Sequence, residues 1–208
     1  MKHSTTPFPI WSILALIVLG ATLRVLRHAG IIELPPNVAP VSAIAMFAAA
    51  TLPRKTSWII PIALMVVSDA VIGWYTWQVM VSVYASFLGS LALGTWIRSK
   101  LNIKRIIGAT LAGSIVFFVV TNAAVFAFDG MYPHTISGIG QAYLSALPFF
   151  RNTVLGDLGY SALFFGLGAL AMVYSRYKVA KRWLDIVRQL DDQLRGPHLG
   201  RACCLLLL

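Results

Sequence analysis

The chain has 208 residues, of which 58% are hydrophobic and only 12% charged, with a formal net charge of +10. A soluble domain carries about a quarter charged residues, so this chain is too poor in charge to cover a soluble surface. The basic excess does not point to nucleic acid either, because Lys and Arg sit in short clusters between apolar runs, as the positive-inside bias of membrane proteins requires. A single compact membrane domain is the expectation at this length.

A membrane-spanning helix needs roughly 20 predominantly apolar residues. Six segments qualify and predict an all-α polytopic membrane protein with six transmembrane helices: Phe8–Leu26, Asn37–Leu52, Trp58–Tyr75, Val79–Ile97, Ile106–Phe128 and Thr153–Tyr174. The first follows Lys2, but it exceeds the ~7–15 residues of a signal-peptide core and is read as a retained span. The second is short, and Asn37 and Pro40 at its start predict an irregular beginning. Ala45 and Ala49 within it have the small-xxx-small spacing that lets helices approach closely, within the chain or against another membrane subunit. The runs are continuous rather than alternating, which excludes a β-barrel.

Between the fifth and sixth segments, Asp129 to Asn152 reads as a long loop with Pro133, Gly138, Gly140 and Pro148. Loops of that length are often binding loops or lids, and Ile139–Phe150 is apolar enough to re-enter the membrane or cap a cavity. After the sixth segment, Val179, Trp183, Ile186, Val187 and Leu190 recur at helical spacing among charges. This predicts an amphipathic interfacial helix over residues 176–195, following a transmembrane domain over 1–175. The only cysteines are Cys203 and Cys204, too few for a disulfide framework. The 196–208 tail departs from the rest of the chain and reads as an atypical terminus.

Of the 17 Lys and Arg, all but Arg24, Arg27 and Arg151 fall before the first segment, in the even-numbered loops or after the sixth. This predicts cytoplasmic N- and C-termini in a bacterial inner membrane. Trp58 and Trp96 at one level and Trp74 and Trp77 at the other suit interfacial belts.

Ionisable groups inside spans are rare and usually face a bundle interior or a cavity. With this topology, Arg24, Asn37, Ser68, Asp69, Asn122, Arg151, Asn152 and Asp157 all fall towards the extracytoplasmic ends of their segments, and Tyr132 lies in the adjoining loop. Each has a structural reading of its own. Asp69 and Asp157 suit ion pairs with arginine, Asn37 suits a helix cap, Asn122 a bond between helices, and Tyr132 an interfacial anchor. Their shared depth points instead to a polar cavity open to the outside. The proposed ligand-binding set is therefore Asn37, Ser68, Asp69, Asn122, Tyr132, Arg151, Asn152 and Asp157. No P-loop, H-E-x-x-H or G-x-S-x-G occurs, and the scattered histidines give no metal spacing. Neither an enzyme, a metal nor a cofactor is expected.

The stretch Pro36-Asn37-Val38-Ala39-Pro40-Val41-Ser42-Ala43-Ile44-Ala45-Met46-Phe47 resembles the signature of an uncharacterised bacterial six-span membrane family. So do Ser68-Asp69 with Gly73, Thr121-Asn122, Met131-Tyr132-Pro133 and Pro148-Phe149-Phe150-Arg151-Asn152-Thr153. The layout is in turn similar to the substrate-binding S components of energy-coupling factor transporters. That resemblance implies a six-helix bundle and a ligand site built from outer loops and outer helix ends. It also implies docking on a membrane subunit driven by ATPases, with Ala45 and Ala49 as candidate docking residues. The functional expectation is uptake of a vitamin-like small molecule or a metal ion. A membrane enzyme with an outer-face acidic site and a non-transporting membrane scaffold are the alternatives.

Overall fold

A chain crossing lipid must satisfy its backbone polar groups internally, and a helix does so residue by residue. In the computed structural model, which describes residues 10–195, every regular element is a helix: α1 (Ile10–His28), α2 (Val41–Thr51), α3 (Arg54–Ser57), α4 (Ile59–Ile72), α5 (Trp77–Ser99), α6 (Ile103–Phe128) and α7 (Ile136–Arg195). Lys2, the first residues of the first predicted segment and the 196–208 tail with Cys203 and Cys204 lie outside the described residues.

Five stretches are long and apolar enough to cross a membrane: Trp11–His28, Arg54–Ile72, Trp77–Ser99, Ile103–Phe128 and Ile136–Asp192. The distribution of polarity supports the same conclusion. Val66, Val71, Val81, Ile107, Ile115 and Leu163 are exposed, whereas Ser68, Asp69, Ser90, Thr110, Ser114 and Asp157 are buried. Exposed apolar surface of that extent is a liability in water and the normal state in lipid. Most of the buried hydroxyls bond back to a carbonyl one turn earlier, as Thr110 does to Ile106 at 2.8 Å and Thr121 to Phe117 at 2.7 Å.

The second predicted span is the exception. Its helix, α2, has 11 residues, about 16 Å at the rise of an α-helix, against roughly 30 Å of hydrocarbon. It is enclosed by protein instead. Ile44, Ala45, Met46, Ala48 and Ala49 are all 0% exposed. The small residues serve this enclosure. Ala45 and Ala49 cluster with Leu91 of α5, so they face the chain's own helix rather than a docking partner. A Cβ on Gly94 would lie 2.4 Å from the Met46 carbonyl and 2.7 Å from the Ala49 Cβ. Only glycine permits that approach.

Contacts fix the helix directions. Gly94 meets Met46, and Arg98 one turn on donates to the carbonyls of Ala49 and Leu52, so α2 and α5 run in the same direction. A Cβ on Gly20 would strike Leu64 while Arg24 reaches Asp69, so α1 and α4 are likewise parallel. Asp157 meets Ser114 and Ser161 meets Thr110, so α6 and α7 are antiparallel. Rings close the α2–α7 contact, with Phe47 against Phe164 at 6.0 Å and Phe165 at 5.4 Å.

The long loop expected before the last span is largely helix. Only 129–135 separates α6 from α7, and α7 runs through Pro148. Gly138 reads as a loop signal in sequence, but here it makes room for the Pro133 carbonyl, which a Cβ would meet at 1.9 Å. The chain divides into two compact units, residues 1–165 and 166–208. In the second, Tyr177, Trp183, Leu184, Val187 and Leu190 are exposed, and the Lys178 ammonium lies 4.8 Å from the Tyr174 ring centre.

The Gly94 contact yields a direct test. Gly94→Ala is expected to destabilise the fold by about 1–3 kcal/mol, the usual cost of overpacking. Gly89→Ala, where no atom lies within 4 Å, is expected to leave the thermal midpoint in detergent unchanged or raised. A Gly94→Ala midpoint equal to that of Gly89→Ala would contradict the packing described.

Candidate functional site

The segment that delivers the chain into α2 shapes the site. Pro36 occupies the second position of a turn and fixes its φ, and Asn37 follows at φ 65. The Val38 N–H donates to the Pro35 carbonyl at 3.2 Å. This is a type II turn, whose third position demands positive φ and accepts Gly or Asn. Asn37 is therefore a turn residue and does not cap α2, which begins after Pro40 without a side-chain cap. The turn leans on α7, where a Cβ at Gly156 would come within 3.2 Å of the Val38 side chain.

Beside the turn, one polar cluster joins α1, α4 and α5. Arg24 donates to Asp69 at 2.8 Å and to the Ser68 hydroxyl at 2.7 Å, and it also contacts the Met65 sulfur. The other Asp69 oxygen accepts from the Tyr84 hydroxyl at 2.9 Å. Asp69 is 1% exposed, so both its oxygens are satisfied out of solvent. That is how a buried carboxylate is made tolerable. Ser68 and Asp69 thus belong to an internal network that presents Arg24, not the carboxylate, to the space beside it.

A second cluster joins α6, α7 and α2. Asp157, 3% exposed, accepts from Ser114 at 2.8 Å and from the Ser42 hydroxyl. One turn further along, Thr110 donates to Ser161 at 3.1 Å. Asp157 therefore pairs with hydroxyls rather than with the arginine expected for it.

Three adjoining cavities surround the turn. One of about 340 Å³ is lined by Arg24, Arg27, His28, Val38, Ala39 and Tyr160 among others. One of about 220 Å³ is lined by Asn37, Thr121, Asn122 and Thr153 with Phe117, Phe118, Phe149 and Phe150. Between them lies a cavity of about 140 Å³ that contains Arg24, Arg27, Asn37, Ser42, Thr153 and Asp157. It shares Arg24, Arg27 and Ala39 with the first and Asn37, Val83, Phe117 and Thr153 with the second. Of the residues singled out in sequence, Asn37, Asn122 and Asp157 come together here, and Ser68 and Asp69 stand behind Arg24. Tyr132, Arg151 and Asn152 line none of the three. Asn122 donates its amide to the Phe118 carbonyl one turn back at 2.7 Å, leaving its carbonyl oxygen without a partner among the described residues. Its bond therefore stays within α6 rather than linking helices.

Sequence reasoning missed Tyr84, Ser42, Thr153 and Ser114 as polar partners. For Ser114 the available signal was the four-residue spacing of Thr110 and Ser114 on α6, matched by that of Asp157 and Ser161 on α7. Among the described residues no group of three or more His, Cys, Asp and Glu is placed to hold a metal ion. The chemistry offered is hydrogen bonding and charge pairing over an aromatic wall.

The chain belongs to the family of unknown function DUF6580, whose profile matches residues 5–181. No curated protein and no solved structure matches it.

Removing one partner of a buried ion pair leaves the other charge uncompensated and costs about 3–5 kcal/mol, whereas replacing both with apolar groups is often near neutral. Asp69→Asn alone is therefore expected to destabilise the chain strongly. The double replacement Arg24→Met, Asp69→Leu should recover more than half of that loss. A thermal-unfolding double-mutant cycle in detergent reads the difference, and strictly additive effects would refute the pairing.

Proposed function

We propose that this chain is the substrate-binding component of a membrane uptake system, taking a small molecule from the extracytoplasmic side. The observation that carries the reading is the meeting of three cavities around the Asn37 turn, at the end of the bundle that the charge bias assigns to the outside. Ligand pockets of small molecules are concave, largely apolar and fitted with a few convergent polar groups. The aromatic lobe at Phe117, Phe118, Phe149 and Phe150 with Asn37, Asn122, Thr153 and Asp157 beside it has that composition.

In this reading the ring-bearing or apolar body of the ligand lies against the phenylalanines. Asn37, Asn122 and Thr153 orient it by hydrogen bonds, and Asp157, held by Ser42 and Ser114, receives a donor at the base. The Ile139–Phe150 stretch forms a wall of the site as part of α7 rather than a loop that folds over it. The role is binding, not catalysis. Since the chain carries no ATP-binding motif, active uptake would draw on a separate engine or an ion gradient, and the likeness in layout to S components supports a coupling membrane subunit with ATPases as that engine.

The scaffold reading draws on a specific observation of its own, the fully paired Arg24–Asp69–Tyr84 network, which locks three helices without needing a ligand. The two readings separate experimentally. Native mass spectrometry of gently purified protein is expected to show a retained small molecule beyond lipid and detergent. Asn122→Leu, with an unfolding midpoint like the wild type's, should lose at least nine-tenths of that occupancy. A wild-type chain that carries nothing, or a variant that retains the molecule equally, favours the scaffold.

A further inference from the structure

Arg27 is the one cavity-lining arginine that the paired networks leave unexplained. Arg24, its neighbour one turn earlier, is held by Asp69. Arg27 is half-buried, and among the described residues its only side-chain hydrogen bond runs from Nε to the Leu34 carbonyl at a long 3.4 Å. No carboxylate among the described residues lies within ion-pair distance of it. Its two terminal nitrogens therefore carry a charge and four N–H donors without an acceptor among the described residues. The 340 Å³ cavity that it lines also contains Arg24 and His28 and no acidic side chain.

A cation in the last turn of a helix is favoured by the helix dipole, by about 0.3–1 kcal/mol. That accounts for Arg27 and His28 at the end of α1. It does not account for their lining one concavity together, nor for the guanidinium left half-buried and unpaired. A partly desolvated charge calls for a counter-charge, and the guanidinium fork fits a carboxylate or phosphate in two parallel bonds. Tyr160 forms part of the cavity wall.

We infer that this cavity binds an oxyanion, a carboxylate or phosphate group, gripped by Arg27 with His28 beside it. Resting on the uptake reading, the inference gives the ligand an anionic end. The cavity shares Arg24, Arg27 and Ala39 with the one that holds Asp157. One molecule thus spans an anion site and a hydrogen-bonding site. The same chemistry suits the phosphate of a lipid headgroup, so the test has two arms.

Full-length protein, stripped by extended exchange into a nonionic detergent, is titrated with sodium phosphate against sodium chloride at equal ionic strength. In parallel it is titrated with phosphatidylglycerol in the micelle. Thermal unfolding is the readout. Phosphate-specific stabilisation indicates a soluble oxyanion, and stabilisation by phosphatidylglycerol alone indicates the lipid source; either supports the site. Arg27→Gln should weaken the apparent affinity at least tenfold. Arg27→Lys keeps the charge without the fork and should fall between, which keeps the test informative if Arg27→Gln folds poorly. Arg54→Gln removes equal charge at the other end of the bundle and should change nothing. No stabilisation in either arm, or equal stabilisation across wild type, Arg27→Gln and Arg27→Lys, overturns the inference. A chain that responds to phosphate but retains no small molecule defeats the uptake reading alone. One that retains a molecule yet ignores both probes defeats only the anion site.

Discussion

An 11-residue helix is shorter than the hydrocarbon thickness of a bilayer, and the rest of the unit up to Phe165 is arranged around that fact. Because α2 ends short, both of its termini fall inside protein, where water cannot satisfy free backbone groups. At its C-terminal end the guanidinium of Arg98 reaches across from α5 to the carbonyls of Ala49 and Leu52. At its N-terminal end the chain approaches through the Pro35–Val38 turn, where proline supplies a fixed φ and no N–H to satisfy. The same shortness demands small residues along the flank, since a helix enclosed on all sides must be approached closely. Gly94 and Ala49 answer that demand.

The cavities follow from the same constraint. A full-length helix in the place of the turn would fill the space between α1, α6 and α7 with side chains. A four-residue turn on Pro36 and Asn37 fills less, and all three cavities touch residues between Asn37 and Ser42. The polar residues around them are then of two kinds. Those that bond one another, Arg24 with Asp69 and Asp157 with Ser114, hold helices in register. Those with unspent capacity, the Asn122 carbonyl oxygen and the Arg27 nitrogens, face the space that the short helix leaves.

Helices with continuous apolar runs were legible in the sequence to within a few residues. The fifth predicted segment, Ile106–Phe128, corresponds to α6 at Ile103–Phe128, which starts earlier because Asn102 accepts from the Arg105 N–H and caps it. The start of α7 was not legible, because Gly138, Gly140 and Pro148 are turn formers by local propensity. The helix starts there all the same, because the Thr135 hydroxyl accepts from the Gly138 N–H at 3.1 Å and the glycine at 138 leaves room for the Pro133 carbonyl. Depth alone put Arg24 and Asp69 at one level, but their pairing spans 45 positions and leaves no mark in local pattern. Arg98 read in sequence as one more cytoplasmic charge, yet it caps a helix from another element. Local pattern does not encode which side chains a neighbouring helix supplies, so the division of the site into paired and unpaired groups had to come from geometry.

The two ends of α2 also explain why a binding site would form at one and not the other. At the Arg98 end the donors are spent: Arg98 is committed to two carbonyls, and Arg105 bonds the Ser99 hydroxyl at 2.7 Å while lying 5.0 Å from the Trp96 ring centre. Phe47 packs there against Phe164 and Phe165, which leaves bulk where the other end has a turn. Sealing that end is worth more than its local bonds, because a helix terminus left open in a low-dielectric interior costs the full desolvation of each group. The Asn37 end is built differently, with a proline before the helix, a turn that bonds itself and no side-chain cap. Its side chains are therefore free of the duty of capping. A residue released from backbone service, in a space too small for another helix and too polar for lipid, is available to a ligand.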